Sequence, residues 1–305
     1  MPLSNQGTSA TTPLVSVIVP ARNEEVCLER CLSSLADQHG VAYEVIVVDD
    51  GSTDRTTEIA DSFARIRECP VIVQNPDLVG IIATQARHPL PEGWTGKANA
   101  LWSGVQQARG KWLLFTDADT VHKAGSLLAA VMEANEHEVA LLSYSPAQEV
   151  NGFLQRALMP VVFSDLAASF RARDICDPSS PIAAANGQYL LISREVYEAV
   201  GGIETFSQSL LEDVALARAV KASGRRLRFR FGGDAVTTRM YRSWESMREG
   251  WTKNLALLFP NAQALAWRRL LEFGVMSLGP VAAVVAFFMG AHWVALAAVA
   301  IAVPT

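Results

Sequence analysis

The sequence has little cysteine and shows no secretory signal. Its 305 residues include four cysteines, and their spacing fits neither a zinc site nor the framework of a disulfide-rich secreted domain. Cys27 and Cys31 are spaced like two core residues on one helix face. Residues 1–13 are polar, with no basic region followed by an apolar one, so we expect a disordered tail and no leader peptide. These absences favour a protein of a reducing compartment.

Charged residues are absent from residues 273–303, a stretch long enough to cross a bilayer once or to enter and turn near Gly279. We therefore expect one or more membrane segments in residues 272–305, belonging to a longer natural protein. A buried helical hairpin of a soluble domain is the alternative.

The chain carries a net charge of −5, but residues 221–269 contain eleven Lys and Arg against three Asp and Glu. Arg268 and Arg269 come just before the uncharged stretch. They predict that the preceding domain lies on the cytoplasmic side of the inner (plasma) membrane, where a basic segment attracts anionic lipid headgroups. Residues 236–271 are expected to form amphipathic interfacial helices. The apolar stripe that starts at Trp244 fits either a headgroup region or the domain core. Nucleic acid is not an expected partner, because no recognisable binding module accompanies the basic residues.

Apolar runs and helical patterns alternate along the first half of the chain. Residues 15–20, 44–49, 71–74 and 112–115 read as buried strands. Helices are expected between them, and the third strand is expected to precede a polar loop. This alternation predicts an α/β fold with a mostly parallel central sheet and helices on both faces. Ligands of such sheets bind at the carboxyl ends of the strands, where Pro20, Asp49 and Asp117 fall.

Asp117 and Asp119 follow the fourth of these strands. In an extended chain both carboxylates point the same way, which indicates an oxygen-only site for Mg2+ or Mn2+ completed by substrate phosphates. The alternative is that residues 117–120 only cap a following helix.

Three runs together resemble the nucleotide-binding half of family 2 inverting glycosyltransferases, which have the GT-A fold: residues 17–24 (VIVPARNE), residues 47–54 (VVDDGSTD) and the strand end at Asp117 and Asp119. The resemblance spans about residues 14–260. It implies a catalytic domain over residues 14–235, with a nucleotide-binding half (14–119) and an acceptor half (120–235). It also implies that Asp49 binds the base of a nucleotide sugar, that Glu24 and Pro20 lie near the nucleotide, that Asp119 binds the metal, and that Asp117 lies beside the donor.

Two further segments add candidate ligands for the donor. Gly96 and Lys97 open a predicted helix, and the resemblance makes Lys97 a contact of the diphosphate, although an ordinary surface lysine is an equal reading. The resemblance also implies that Gln188, in a strand expected over residues 184–193, approaches the donor sugar. His122 is read as buried scaffold, with metal ligation as the alternative.

Glu212 and Asp213 are expected to open a helix, where the dipole favours acidic residues for purely structural reasons. In the family that the chain resembles, this position supplies the general base. The resemblance therefore implies Asp213 as base and Glu212 as its orienting partner.

These patterns predict a membrane-associated enzyme that transfers a sugar from a UDP- or GDP-linked donor to a lipid acceptor. It resembles the bacterial branch linked to hopanoid and carotenoid glycosylation. A processive polysaccharide synthase is one alternative, but residues 239–244 (RMYRSW) depart from the Gln-x-x-Arg-Trp pattern of such synthases. A catalytically silent, membrane-anchored nucleotide-binding subunit is the other.

Overall fold

A computed structural model of the chain describes residues 12–65, 77–150, 152–241, 243–259 and 261–289. The chain divides into two compact units, Met1–Trp244 and Glu245–Thr305. The predicted tail lies mostly outside the described residues, as does the predicted strand at residues 71–74.

The first unit is built on a seven-stranded sheet. Its strands, in chain order, are β1 (Val15–Ala21), β2 (Tyr43–Asp49), β3 (Leu78–Gln85), β4 (Trp112–Phe115), β6 (Leu141–Ser145), β8 (Leu190–Ser193) and β9 (Leu227–Phe231). They lie in the order β3-β2-β1-β4-β8-β6-β9. All neighbouring pairs are parallel except those made by β8, which runs antiparallel to β4 and β6. The predicted mostly parallel sheet is therefore confirmed.

A smaller sheet of three short strands lies beyond the end of β4. It contains β5 (Thr120–His122), β7 (Ala147–Gln148) and β10 (Val236–Thr238), in the order β5-β10-β7. β5 follows Asp117 and Asp119 directly, so the reading of these aspartates as a helix cap is wrong. β10 also occupies the start of the range in which interfacial helices were expected.

The described part of the first unit also contains helices. They are α1 (Leu28–Ala36), α2 (Thr56–Arg65), α3 (Gly96–Gln107), α4 (Ser126–Glu136), α5 (Gly152–Ser169), α6 (Ala172–Cys176), α7 (Arg194–Ala199) and α8 (Glu212–Ala222). Alternate residues of β1 enter different cores: Val17 packs in a cluster with α1 and α4 residues, and Ile18 in one with α3 and α8 residues. Helices on both faces explain why β1 and β2 are apolar almost throughout.

Two boundaries differ from the sequence predictions. Strand β8 begins at Leu190, not near residue 184, because the Asn186 side chain accepts a hydrogen bond from Gln188 N and forms a turn there. The third strand of the nucleotide-binding half is β3, which lies in a stretch predicted to be a polar loop.

The second unit contains most of α9 (Trp244–Leu258) and all of α10 (Ala262–Phe288). Several large apolar side chains of α10 are exposed, among them Trp267, Leu271 and Phe273. Within residues 12–289, leaving out the undescribed gaps, no helix has the length and hydropathy of a membrane span. Residues 290–305 of the predicted membrane region lie outside the described residues, and that prediction remains untested.

Candidate active site

A cavity of about 390 Å3 opens at the carboxyl ends of β1 and β4. Four of the predicted site residues that line it are acidic or basic: Glu24, Lys97, Asp117 and Asp119. The full lining is Pro20, Ala21, Arg22, Glu24, Asp50, Gly96, Lys97, Ala100, Asp117, Ala118 and Asp119.

The two aspartates after β4 are held by a tight turn. Thr120 donates two hydrogen bonds to the carbonyl oxygen of Asp117, from its backbone nitrogen at 3.2 Å and from Oγ1 at 2.7 Å. Ala118, between the aspartates, is buried in the core and also lines the cavity with both of them. The two aspartates therefore border one space, but a turn places them there and not the side-chain alternation of an extended strand.

Asp119 carries a strongly perturbed carboxylate. Burial, followed by the negative charges of Asp117 and Glu24, raises its pKa to about 7. Its Oδ1 atom is buried and accepts no hydrogen bond in the described part of the chain. An unpartnered carboxylate oxygen beside further acidic groups fits a divalent cation. The described residues contain no complete set of three or more protein ligands, so substrate oxygens would have to fill the remaining positions.

Lys97 connects the two acidic parts of the site. It lies in the first turn of α3, which Thr95 caps by accepting a hydrogen bond from Ala98 N. Its Nζ atom is 2.9 Å from Asp117 Oδ1 and 3.2 Å from Glu212 Oε1. Burial of Lys97 opposes its charge, but the neighbouring carboxylates outweigh burial and raise its pKa.

Gly96 lets the start of α3 approach the cavity wall. A Cβ atom at this position would lie 2.3 Å from Asp50 Oδ2, too close for any other residue unless Asp50 moves. The close approach places Gly96 and Lys97, the first two residues of the helix, in the cavity lining.

Asp213 lies in the first turn of α8. Its Oδ2 accepts a hydrogen bond from Gly187 N at 2.8 Å, and its Oδ1 accepts one from Val214 N at 2.7 Å. Burial, followed by the charge of Glu212, raises the pKa of Asp213 to about 6, although Lys97 acts in the opposite direction.

The position of Gly187 fixes how far Asp213 lies from the cavity residues. A Cβ atom on Gly187 would be 3.4 Å from both Asp213 Oδ2 and Lys97 Nζ, so those two atoms are at most 6.8 Å apart. Adding the 2.9 Å ion pair places Asp213 Oδ2 within 9.7 Å of Asp117 Oδ1. Acidic groups from the two halves of the unit therefore converge around one lysine.

Asp49 and Gln188 do not line the cavity. Asp49 is 3% exposed and accepts hydrogen bonds from Ser52, Thr57 and Gln85. Burial opposes ionisation of Asp49, but these donors outweigh burial and lower its pKa. Gln188 is also buried and donates from Nε2 to Thr238 Oγ1. Their predicted contacts with the base and the donor sugar remain untested.

Sequence reasoning did not select Arg22 and Asp50 as site residues. Arg22 Nη1 is 3.3 Å from Asp50 Oδ2, and both residues line the cavity. Each lies just beyond the end of its strand, so the strand-end rule could have selected them. His122 is 5% exposed and packs behind the Asp117 turn, as expected for scaffold.

The segment that replaces the Gln-x-x-Arg-Trp pattern runs close to Asp119. Arg239 N donates to the carbonyl oxygen of Asp119 at 3.4 Å. Burial and then the charge of Asp119 raise the pKa of Tyr241 to about 12. Arg242, the cation of the pattern, lies outside the described residues.

Comparison with known proteins identifies the family of the chain. The model of a family described as "Glycosyl transferase family 2" matches residues 16–201. The 4,4'-diaponeurosporenoate glycosyltransferase of Staphylococcus aureus (strain USA300) is 28% identical over 250 residues, covering 79% of this chain and 60% of that protein. The chain thus spans about three fifths of the length of this relative.

Solved structures share the fold. The mannosyltransferase PcManGT from Pyrobaculum calidifontis, in complex with GDP-Man and Mn2+, is 23% identical with a TM-score of 0.52, covering 77% of this chain and 59% of that one. TarS of S. aureus is 22% identical with a TM-score of 0.50, covering 77% of this chain and 38% of that one.

Proposed function

Because the chain belongs to glycosyl transferase family 2, we propose that it transfers a hexosyl group from a UDP- or GDP-linked nucleotide sugar to the hydroxyl group of a lipid acceptor, with inversion at the anomeric carbon. The observation that carries the proposal is Asp213. Its half-buried carboxylate has a pKa raised to about 6, is oriented by Gly187 N and lies near Lys97, which pairs with Asp117 of the acidic cavity. Such a pKa suits a group that is ionised at neutral pH yet basic enough to accept a proton.

In the chemical step, the acceptor hydroxyl loses its proton to an oxygen of Asp213, and the acceptor oxygen bonds to the anomeric carbon at the same time. The bond from that carbon to the diphosphate breaks at the same time, and the electron pair leaves with the nucleoside diphosphate. Each Asp213 oxygen accepts one backbone hydrogen bond, which leaves lone pairs for the incoming proton. Glu212 orients the base indirectly. It forms an ion pair with Lys97, and Lys97 also pairs with a carboxylate of the donor cavity.

The donor would occupy the cavity at the ends of β1 and β4. Lys97 and the N–H groups at the start of α3 are suited to the diphosphate. The nucleoside would contact Glu24, Pro20 and Asp49. The sugar would contact Gln188, which lies in a buried turn next to Gly187.

Asp119 and Asp117 would hold Mg2+ or Mn2+. The unpartnered Oδ1 of Asp119 supports this assignment, as does the presence of Mn2+ with GDP-Man in the similar mannosyltransferase. When bound, the ion neutralises charge that develops on the departing diphosphate. Asp117 also pairs with Lys97, so a cation in the cavity and Lys97 would share this carboxylate.

A lipid acceptor and a position at the cytoplasmic face of the inner membrane are supported by the relative named for diaponeurosporenoate and by the basic and apolar residues of α10. Sedimentation of lysed cells at physiological salt tests membrane association. The protein should sediment with the inner membrane, and its full recovery in the supernatant would contradict this part of the proposal.

The function is tested with purified protein, a panel of UDP- and GDP-sugars carrying a labelled hexose, Mn2+ and a membrane lipid extract. We expect labelled lipid with at least one donor. Asp213→Asn should lower kcat by about 10²–10⁴-fold while nucleotide binding is kept. Glu195→Gln is the matched control, because Glu195 is also acidic and lies in the first turn of a helix but is exposed outside the site.

Two outcomes would overturn the proposal in different directions. Labelled high polymer would favour a processive polysaccharide synthase. Nucleotide binding without transfer from any donor would favour a silent nucleotide-binding subunit.

A further inference from the structure

A buried polar cluster lies directly behind the turn that carries Asp117 and Asp119. Thr116, Thr120 and His122 are each at most 5% exposed. Their polar atoms form a triangle: the two threonine Oγ1 atoms are 2.9 Å apart, and His122 Nε2 is 3.1 Å from Thr116 Oγ1 and 3.2 Å from Thr120 Oγ1.

The hydrogen atoms of this triangle can be assigned by inventory. A threonine hydroxyl has one hydrogen to donate. Thr116 Oγ1 donates to the carbonyl oxygen of Gln188 at 2.8 Å, and Thr120 Oγ1 donates to the carbonyl oxygen of Asp117 at 2.7 Å. A carbonyl cannot donate, so both hydroxyl hydrogens are used outside the triangle. The two contacts of His122 Nε2 with the threonine oxygens are therefore favourable only if Nε2 carries a hydrogen and shares it between them, while the contact between the two threonine oxygens has no hydrogen of its own.

The cluster is placed to hold both parts of the candidate active site. Through Thr120 it fixes the carbonyl of Asp117 and hence the turn that presents the two carboxylates. Through Thr116 it fixes the backbone of Gln188, and the preceding residue, Gly187, donates its N–H to Asp213. His122 touches neither carboxylate in these contacts, so its effect would be one of position.

We propose that His122, as the neutral tautomer with hydrogen on Nε2, is a positioning residue that holds Thr116 and Thr120 so that Asp117 and Asp119 are set for a divalent cation and its diphosphate. The cation and diphosphate in this inference rest on the proposed function. The ring environment agrees with a neutral side chain, because burial lowers the pKa of His122 to about 3.

The tautomer is tested without any ligand by long-range 1H–15N NMR spectra of the labelled protein between pH 5 and pH 8. We expect the His122 ring to show the neutral pattern with hydrogen on Nε2 across this range. A pattern with hydrogen on Nδ1, or protonation of the ring near pH 6, would overturn the inference. This result does not depend on transferase activity.

The positioning role is tested by Mn2+ binding in the presence of UDP or GDP, with free Mn2+ measured by its electron paramagnetic resonance signal. His122→Leu removes the donor and should weaken Mn2+ binding about 10–100-fold, as is typical for groups that orient metal ligands. His122→Gln can place an amide N–H near the position of Nε2 and should stay within about threefold of the unaltered protein. His39→Leu, on an exposed histidine, is the matched control and should change nothing.

Thr120→Val provides a second variant if His122→Leu does not fold. It removes the hydroxyl that holds the Asp117 carbonyl and should weaken Mn2+ binding in the same way. Unaltered Mn2+ binding in folded His122→Leu or Thr120→Val would overturn the positioning role. If the unaltered protein itself binds neither Mn2+ nor nucleotide, the proposed function fails instead, and the NMR result still decides the tautomer.

Discussion

At the amino edge of the large sheet, where β1 and β2 begin, a single buried carboxylate has all the partners it needs. Glu44 is fully buried and accepts hydrogen bonds from Ser16 Oγ at 2.7 Å, Arg109 N at 2.7 Å and the Arg109 guanidinium at 2.6 and 2.9 Å. At the carboxyl edge, by contrast, Asp119 is surrounded by further carboxylates, and one of its oxygens accepts no hydrogen bond within the described ranges.

The difference separates two uses of charge in one domain. A buried charge that is fully paired holds strands and loops in register, and breaking it costs stability. Like charges held together, with a raised pKa, reduce stability and are kept only where a ligand uses them. We therefore expect substitutions at the two edges to act on different measured quantities.

In this comparison of the two edges, the largest effect is expected for Asp119→Asn at the carboxyl edge. Loss of a ligand for the cation should lower kcat/KM about 10³-fold, because metal stabilisation of a leaving group contributes several kcal/mol. The free energy of unfolding at pH 8 should not fall. Because folding raises the pKa of Asp119 above its unfolded value, the ionised carboxylate opposes folding at pH 8, and the neutral amide removes that cost.

Activity assays and thermal unfolding of the same preparation check this prediction. Asp61→Asn is the control, because Asp61 is an exposed partner of Arg65 on α2, and both quantities should stay unchanged. Clear destabilisation by Asp119→Asn would show that the carboxyl edge is structural after all.

Glu44→Gln at the amino edge should have the opposite signature. We expect a loss of about 2–3 kcal/mol in the free energy of unfolding, because a buried, charge-assisted network loses its charge while half-exposed Arg109 can turn to water. The activity of the folded fraction should stay within about twofold of the unaltered protein.

Denaturant titration measures this loss. Glu58→Gln is the control, since Glu58 and Arg55 form an exposed ion pair and its loss should cost less than about 0.5 kcal/mol. If Glu44→Gln is as stable as the unaltered protein, the amino edge does not stabilise the domain through its paired charge, and the contrast with the carboxyl edge fails.

The two edges also show how far the sequence alone can lead. The strand of Trp112–Phe115 and the stripe of α1 were predictable, because their apolar residues have the local period of a strand or a helix. The convergence of Asp117 and Asp213 was predicted only through family resemblance, since no local pattern reports a contact between residues so far apart in the chain.

The hydrogen-bond partners of the acidic residues could not be predicted from the sequence at all. Asp49 and Asp119 both follow apolar runs and look alike in sequence. Asp49 accepts a hydrogen bond from Gln85, a residue of β3 in a stretch predicted to be a loop, whereas Oδ1 of Asp119 accepts none among the described residues. Which carboxylate is paired and which stays available depends on the tertiary fold, and this difference decides which of them is available to bind a ligand.

The smallest effect we predict, and the most specific, concerns the pH dependence of kcat. Asp213 must be ionised to accept a proton, and its pKa is raised to about 6, so kcat should fall about tenfold per pH unit below pH 6. Because Lys97 lowers the pKa of Asp213, Lys97→Met should move this acidic limb to higher pH, besides any loss of donor affinity.

Lys111→Met, on an exposed lysine at the amino edge, should leave the limb in place. Profiles of kcat from pH 4.5 to pH 8.5 at saturating donor would distinguish these cases. If the acidic limb of the kcat profile does not move in Lys97→Met, or moves to lower pH, Lys97 does not link the carboxylates of the donor cavity to the base.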